Sequence, residues 1–149
     1  MIVRQAVLDD TAAISALFRA RIPAWQRLTG DGGVETVGYE DLTVYERWTH
    51  GGPWMSLETA AIALARLLHG VGLALVAESD DGELVGYLEA YPGYEPSPLG
   101  AHLHLAHVVT SSTVMDSDAV ADVLLKRASE VAGHLPDKRL TASLAADSG

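Results

Sequence analysis

Glu89 sits in the run LVGYLEAY with Tyr87 and Tyr91 on either side of it, and on an extended chain residues two apart share a face. A carboxylate so placed is a candidate general base. Its bland alternative is a solvated strand residue, because carboxylates are mostly exposed, and that is the expectation here. Further on, HLHLAH spaces His102 and His104 two residues apart, which suits a metal ion, while strict alternation sends His107 to the other face. No third ligand can be identified, so no metal is expected and the pair reads as a polar, partly exposed sheet face. Imidazoles also titrate near neutrality, which makes His104 a second candidate for taking a proton from an amine.

The stretch VMDSDAVADVLLKRA, residues 114–128, has the spacing of an amphipathic helix yet opens with Asp116, Asp118 and Asp122. A helix start carries four N–H groups without intrahelical partners and the positive end of the macrodipole, so a bare one attracts anions. Asp and Ser there are also ordinary caps that satisfy those groups internally. The helix end favours an anion by about 0.3 to 2 kcal/mol. One aspartate about 6 Å from a phosphate charge, at an effective dielectric of about 20, opposes it by about 3 kcal/mol. Two aspartates outweigh the attraction, and the expectation is a self-capped structural helix.

The elements that would position these groups can be read from periodicity. Ile2 to Leu8 reads as a strand, and DDTAAISALFRARI as a helix with an aspartate cap, ended by Pro23. TGDGGVETVG is glycine-rich enough to predict a mobile connection. YEDLTVYERWTH predicts a helix with Leu42, Tyr45, Trp48 and Thr49 on one side, and SLETAAIALARLLHG a second one from Ser56 to Gly70. Trp48 and Trp54 flank the turn between them, either lining a pocket or packing on the sheet. LALVAE and ELVGYLEAY read as an antiparallel pair joined through Asp81 and Gly82. PGYEPSPLG, with its prolines and glycines, predicts a loop. AHLHLAHVV is a third strand, the helix above follows with Gly133 and Pro136 at its end, and RLTASLA is a last strand.

With 149 residues, 48% hydrophobic and 20% charged, the chain is long and apolar enough for one domain spanning 1–149 with one core. A formal charge of −10 offers no electrostatic footprint for nucleic acid or an anionic membrane and modestly favours a cationic partner. The absence of cysteine excludes disulfides, thiolate zinc sites and a cysteine nucleophile. With neither a signal-peptide pattern nor a long apolar run, the expected location is cytoplasmic.

Strand, helices, three strands, helix, strand makes an α+β layer in which helices cover a mixed, mostly antiparallel sheet. In that order of elements the chain resembles the GNAT family of N-acetyltransferases. VRQAVLDDTAAISALF is similar to that family's opening strand and helix, LVAESDDGELVGYLEAY to its central hairpin, and HLHLAHVV with VADVLLKRASEVA to the strand and helix that hold acetyl-CoA. The resemblance implies acetyl-CoA as cofactor if the protein is active. Backbone contacts would come from Val108 and Val109 on the strand and from Ser117, Ala119, Val120 and Ala121 at the helix start. It also implies an acceptor groove faced by Glu89, with His104 as the other catalytic candidate.

Two departures qualify the expected activity. The family's loop has the form Arg/Gln-x-x-Gly-x-Gly/Ala, whereas Asp116 stands here at the basic or amide position and Asp118 lies inside the turn. Acetyl-CoA binding is therefore expected to be weak or lost, leaving a binding or dimerising module; an active N-acetyltransferase that tolerates the aspartates is the alternative. The family also continues past the strand that RLTASLA resembles. The chain is then either a reduced member that pairs with a second copy along its last strand or the leading piece of a longer protein.

Overall fold

At the tip of the central hairpin the Ser79 N–H donates to the Glu83 carbonyl at 2.8 Å and the Gly82 N–H to the Ser79 carbonyl at 2.9 Å. Gly82, at φ +83°, takes the left-handed conformation that the tight turn needs. The computed structural model describes residues 1–21, 25–70, 72–95, 100–114, 116–134 and 140–142. The hairpin joins β4 (Leu73–Glu78) to β5 (Leu84–Glu95). β1 (Ile2–Gln5) pairs with the outer edge of β4, and β6 (Gly100–Thr110) with β5, all antiparallel. β7 (Leu140–Ala142) adds to β6 in parallel, giving the order β1-β4-β5-β6-β7. The rest of the expected last strand lies outside the described residues.

Side chains alternate across this sheet, so each face needs its own cover. On one face α1 (Thr11–Arg19) and α3 (Leu57–His69) bring Ile14, Leu17, Ala60 and Leu64 against Val76, Tyr87 and Val109, with Trp54 among them. On the other, α4 (Ser117–Ala132) packs Val120, Leu124 and Ala128 on Leu75, Ala77, Leu88 and Leu103. Each fully buried Leu or Val contributes roughly 1.5–3 kcal/mol. Gly86 sets the approach of α4: a Cβ there would lie 2.6 Å from Val120 Cγ1 and 2.9 Å from Leu124 Cδ1.

The fold class is the expected one, with four local differences. β5 runs on through Pro92 and Gly93 to Glu95, where a loop was predicted. Its pairing with β4 stops at Leu73 and Ala90, so beyond that point it is an edge strand, where proline is tolerated. TGDGGVETVG is not a plain connection: β2 (Trp25–Leu28) and β3 (Val34–Val37) form a separate hairpin. Its glycines are confined to the turn, closed by the Thr29 N–H on the Gly33 carbonyl at 2.9 Å.

α2 (Val44–Gly51) starts later than its periodicity suggests, because Thr43 and Glu46 form a reciprocal capping box at 3.1 and 3.0 Å. Leu42 stays outside the helix and is buried, while Tyr45 and Trp48 face outward. Asp10 does occupy the cap position of α1, but its carboxylate turns back. It accepts two hydrogen bonds from Arg4, at 2.8 and 2.9 Å, and one from the Val7 N–H at 2.8 Å. A charged bidentate pair outcompetes an ordinary cap.

Candidate functional site

The pairing of β5 with β6 slips by one residue at the site. Glu89 is opposite His107 but Ala90 is opposite Leu105, so Ala106 is an extra residue in β6. This bulge reverses the alternation and brings His107 onto the face of Glu89. His104, opposite Tyr91, and His102, opposite Gly93, share that face, so the sequence-based separation of His107 from the other two is corrected.

Glu89 is 4% exposed and is therefore not a solvated strand residue. The Tyr87 hydroxyl donates to its Oε1 at 2.7 Å and the Tyr91 hydroxyl to its Oε2 at 2.9 Å. His107 Nε2 stands 3.9 Å from Oε2. Burial, followed by the charge and hydrogen bonding of Glu89, pushes both phenols well above their ordinary range, so they remain proton donors. The wall is aromatic: Phe18 stacks on Trp54 with centroids 5.4 Å apart and meets His107 edge-on at 5.3 Å. Such a carboxylate, fixed by two donors and reached past a half-exposed imidazole, can accept a proton or pair with an ammonium group.

His102 is buried rather than partly exposed, with its ring lying over Gly93, where a Cβ would meet Nε2 at 2.6 Å. The rings of His102 and His104 are 6.4 Å apart. Among the described residues no three His, Asp or Glu side chains are grouped to hold a metal ion.

Trp48 and Trp54 divide the two roles considered for them. Trp54 is core, at 1% exposure, while Trp48 lines a groove of about 490 Å³ with Pro53, Ile62, Arg66, Leu67 and Tyr91. Tyr91 thus links the groove to Glu89. The expected cofactor positions lie on the other side of the bulge. Val109 faces the α1 side and is buried, and Val108 faces the α4 side.

At the start of α4, Asp116 Oδ1 accepts the Ala119 N–H at 3.0 Å, and the Asp116 carbonyl accepts the Val120 N–H at 3.4 Å. Among the described residues the Ser117 and Asp118 amides have no acceptor. Ala121 lies within the first turns of the helix, partly buried. Beside this turn is a polar cavity of about 430 Å³ lined by Ala20, Arg21, Thr110, Ser111, Val114 and Ser117. Arg21 is absent from the sequence-based candidates. A cation beyond a helix end is unremarkable in sequence, and only the fold brings that end beside the β6–α4 junction.

Neither family models nor curated protein sequences give a match to this chain. Solved structures do. A protein described as a probable acetyltransferase superimposes with a TM-score of 0.67 at 19% identity, over 99% of this chain and 82% of that one. An aminoglycoside 6'-N-acetyltransferase from Acinetobacter haemolyticus gives 0.64 at 16% identity, over 99% and 82%. A transcriptional regulator from Bacillus halodurans gives 0.65 at 14%, over 99% and 83%. At such identities it is architecture that is shared, and the chain has the mixed α+β fold of the GNAT N-acetyltransferases.

Proposed function

We propose that this GNAT-like domain binds acetyl-CoA weakly or not at all and works as a binding module, with a small molecule held on the Glu89 side of the sheet. The observation that carries the reading is the Asp116 carboxylate on the Ala119 N–H. That amide, which an incoming pyrophosphate would need, already has an anionic partner, and Asp118 adds a second negative charge in the first turn. Arg21 at the neighbouring cavity opposes them with one positive charge, fewer than the two negative ones.

Calorimetric titration of acetyl-CoA at physiological salt tests this. The expected result is a dissociation constant at or above about 1 mM, the level where binding free energy falls to about −4 kcal/mol. Submillimolar binding overturns it. The alternative, an active N-acetyltransferase, is favoured by the buried Glu89 with its two phenolic donors and His107, which suit proton removal from an amine. Acetyl-CoA turnover with an amine acceptor, lost in Glu89→Gln, would establish it.

Pairing with a second copy along the β7 edge is a further part of the proposal, since an edge strand can template another. Light scattering at micromolar protein tests it, a monomer counting against it.

A further inference from the structure

The groove beside Tyr91 is a built cavity whose chemistry differs from that of the Glu89 centre behind it. Thr59, Ile62, Ala63 and Arg66 form one helical stripe of α3 along its wall, Trp48 closes it from α2, and Leu67 and Tyr91 complete an apolar lining. Its volume of about 490 Å³ falls in the range of small-molecule sites, about 300–1,000 Å³.

The polar atoms of this wall are the key. The Thr59 hydroxyl donates to the carbonyls of Pro53 and Ser56 at 2.6 and 3.2 Å. The Tyr91 hydroxyl is committed to Glu89. Of the polar side chains lining it, the Arg66 guanidinium and the Trp48 indole N–H remain uncommitted among the described residues, and both are donors only. No lining residue carries a negative charge. In a chain of formal charge −10, Arg66 is a cation with no acidic partner among the described residues, lining an apolar cavity together with a half-exposed indole.

We infer that this groove binds a small planar apolar molecule bearing one carboxylate, its ring between Trp48, Ile62 and Tyr91 and its carboxylate on Arg66. An aromatic body suits the indole and phenol faces. A carboxylate suits the planar fork of a guanidinium, which can accept it in two parallel hydrogen bonds. Glu89 stands behind Tyr91 with both oxygens occupied by phenolic protons, so the charge facing the ligand is that of Arg66. The inference deepens the binding-module reading by naming its ligand class, and the two fail separately, because coenzyme binding at the α4 turn is measured with a different ligand.

The test is calorimetry with naphthoate and with naphthylmethylamine, which share an aromatic body and differ in the sign of the head group. Naphthoate is expected to bind roughly tenfold more tightly than the amine, the scale of one charge-assisted contact. Arg66→Gln should remove the preference and Arg66→Lys should keep part of it. Ala63→Trp, which fills the groove, should abolish binding of both. Arg66 is exposed, so its variants are expected to fold, as circular dichroism will show, and they decide the matter even if Ala63→Trp does not fold. Equal binding of the two probes, preference for the amine, or no naphthoate binding overturns the inference.

Discussion

The Tyr91 hydroxyl stands 2.9 Å from Glu89 Oε2, so a half-exposed phenol at the groove wall holds one oxygen of a buried carboxylate. Tyr87, fully buried, holds the other. Removing either donor leaves a buried charge with less compensation. Tyr87→Phe should cost about 1–3 kcal/mol and Tyr91→Phe less, since water can reach the Tyr91 side. Urea denaturation of both variants and of Glu89→Gln checks the ranking, and equal costs would contradict it.

Acid stability should depend on Asp10. The hydrogen bonds from Arg4, which outweigh the opposing effect of burial, hold this carboxylate below its ordinary range. A depressed folded-state pKa gives stability that is fully present above the unfolded pKa, near 3.9, and is lost as pH falls through the lower folded value. Asp10→Asn should therefore destabilise the protein at neutral pH, by about 1–3 kcal/mol, and flatten the acid limb of the melting temperature plotted against pH. An unchanged acid limb would show that other carboxylates control it.

Charge at the α4 start should tune coenzyme binding. Asp116→Ala with Asp118→Ala should raise acetyl-CoA affinity by roughly tenfold or more, more so at low salt, while loss of the cap costs about 1 kcal/mol of stability. Arg21→Gln should lower affinity. Titrations of the three proteins at two salt concentrations separate these effects, and an affinity indifferent to the aspartates would remove the electrostatic argument.

Packing of α4 on the sheet should be intolerant at Gly86. Gly86→Ala puts a methyl group within 3 Å of Val120 and Leu124, and should cost about 1–3 kcal/mol as an overpacked contact. Thermal melts will show it. A neutral outcome would mean that the helix shifts easily on its bed.

Much of this architecture was legible because each buried element repeats its apolar residues at its own period. The β4–β5 hairpin, α1, α3 and α4 all stand where LALVAE, LVGYL and the three helical stripes place them. What was hidden depends on contacts between distant segments. Pro92 and Gly93 signal a loop locally, and only the end of the β4 pairing makes room for them in a strand. Glu89 has the sequence of a solvated residue until the Tyr87 and Tyr91 hydroxyls are seen on it. Arg66 on α3 and Trp48 on α2 line one groove only because the turn Gly52–Met55 between the two helices packs against both.

The extra residue in β6 sets a rule for anyone transplanting parts of this protein. Positions before and after Ala106 run in opposite phase, so a chimera or an alignment that passes through it without a gap will exchange inward and outward side chains along half the strand. Deleting Ala106 alone would make the ladder regular and keep His107 opposite Glu89, whereas replacing it, which keeps the strand's length, leaves the bulge and its change of phase in place.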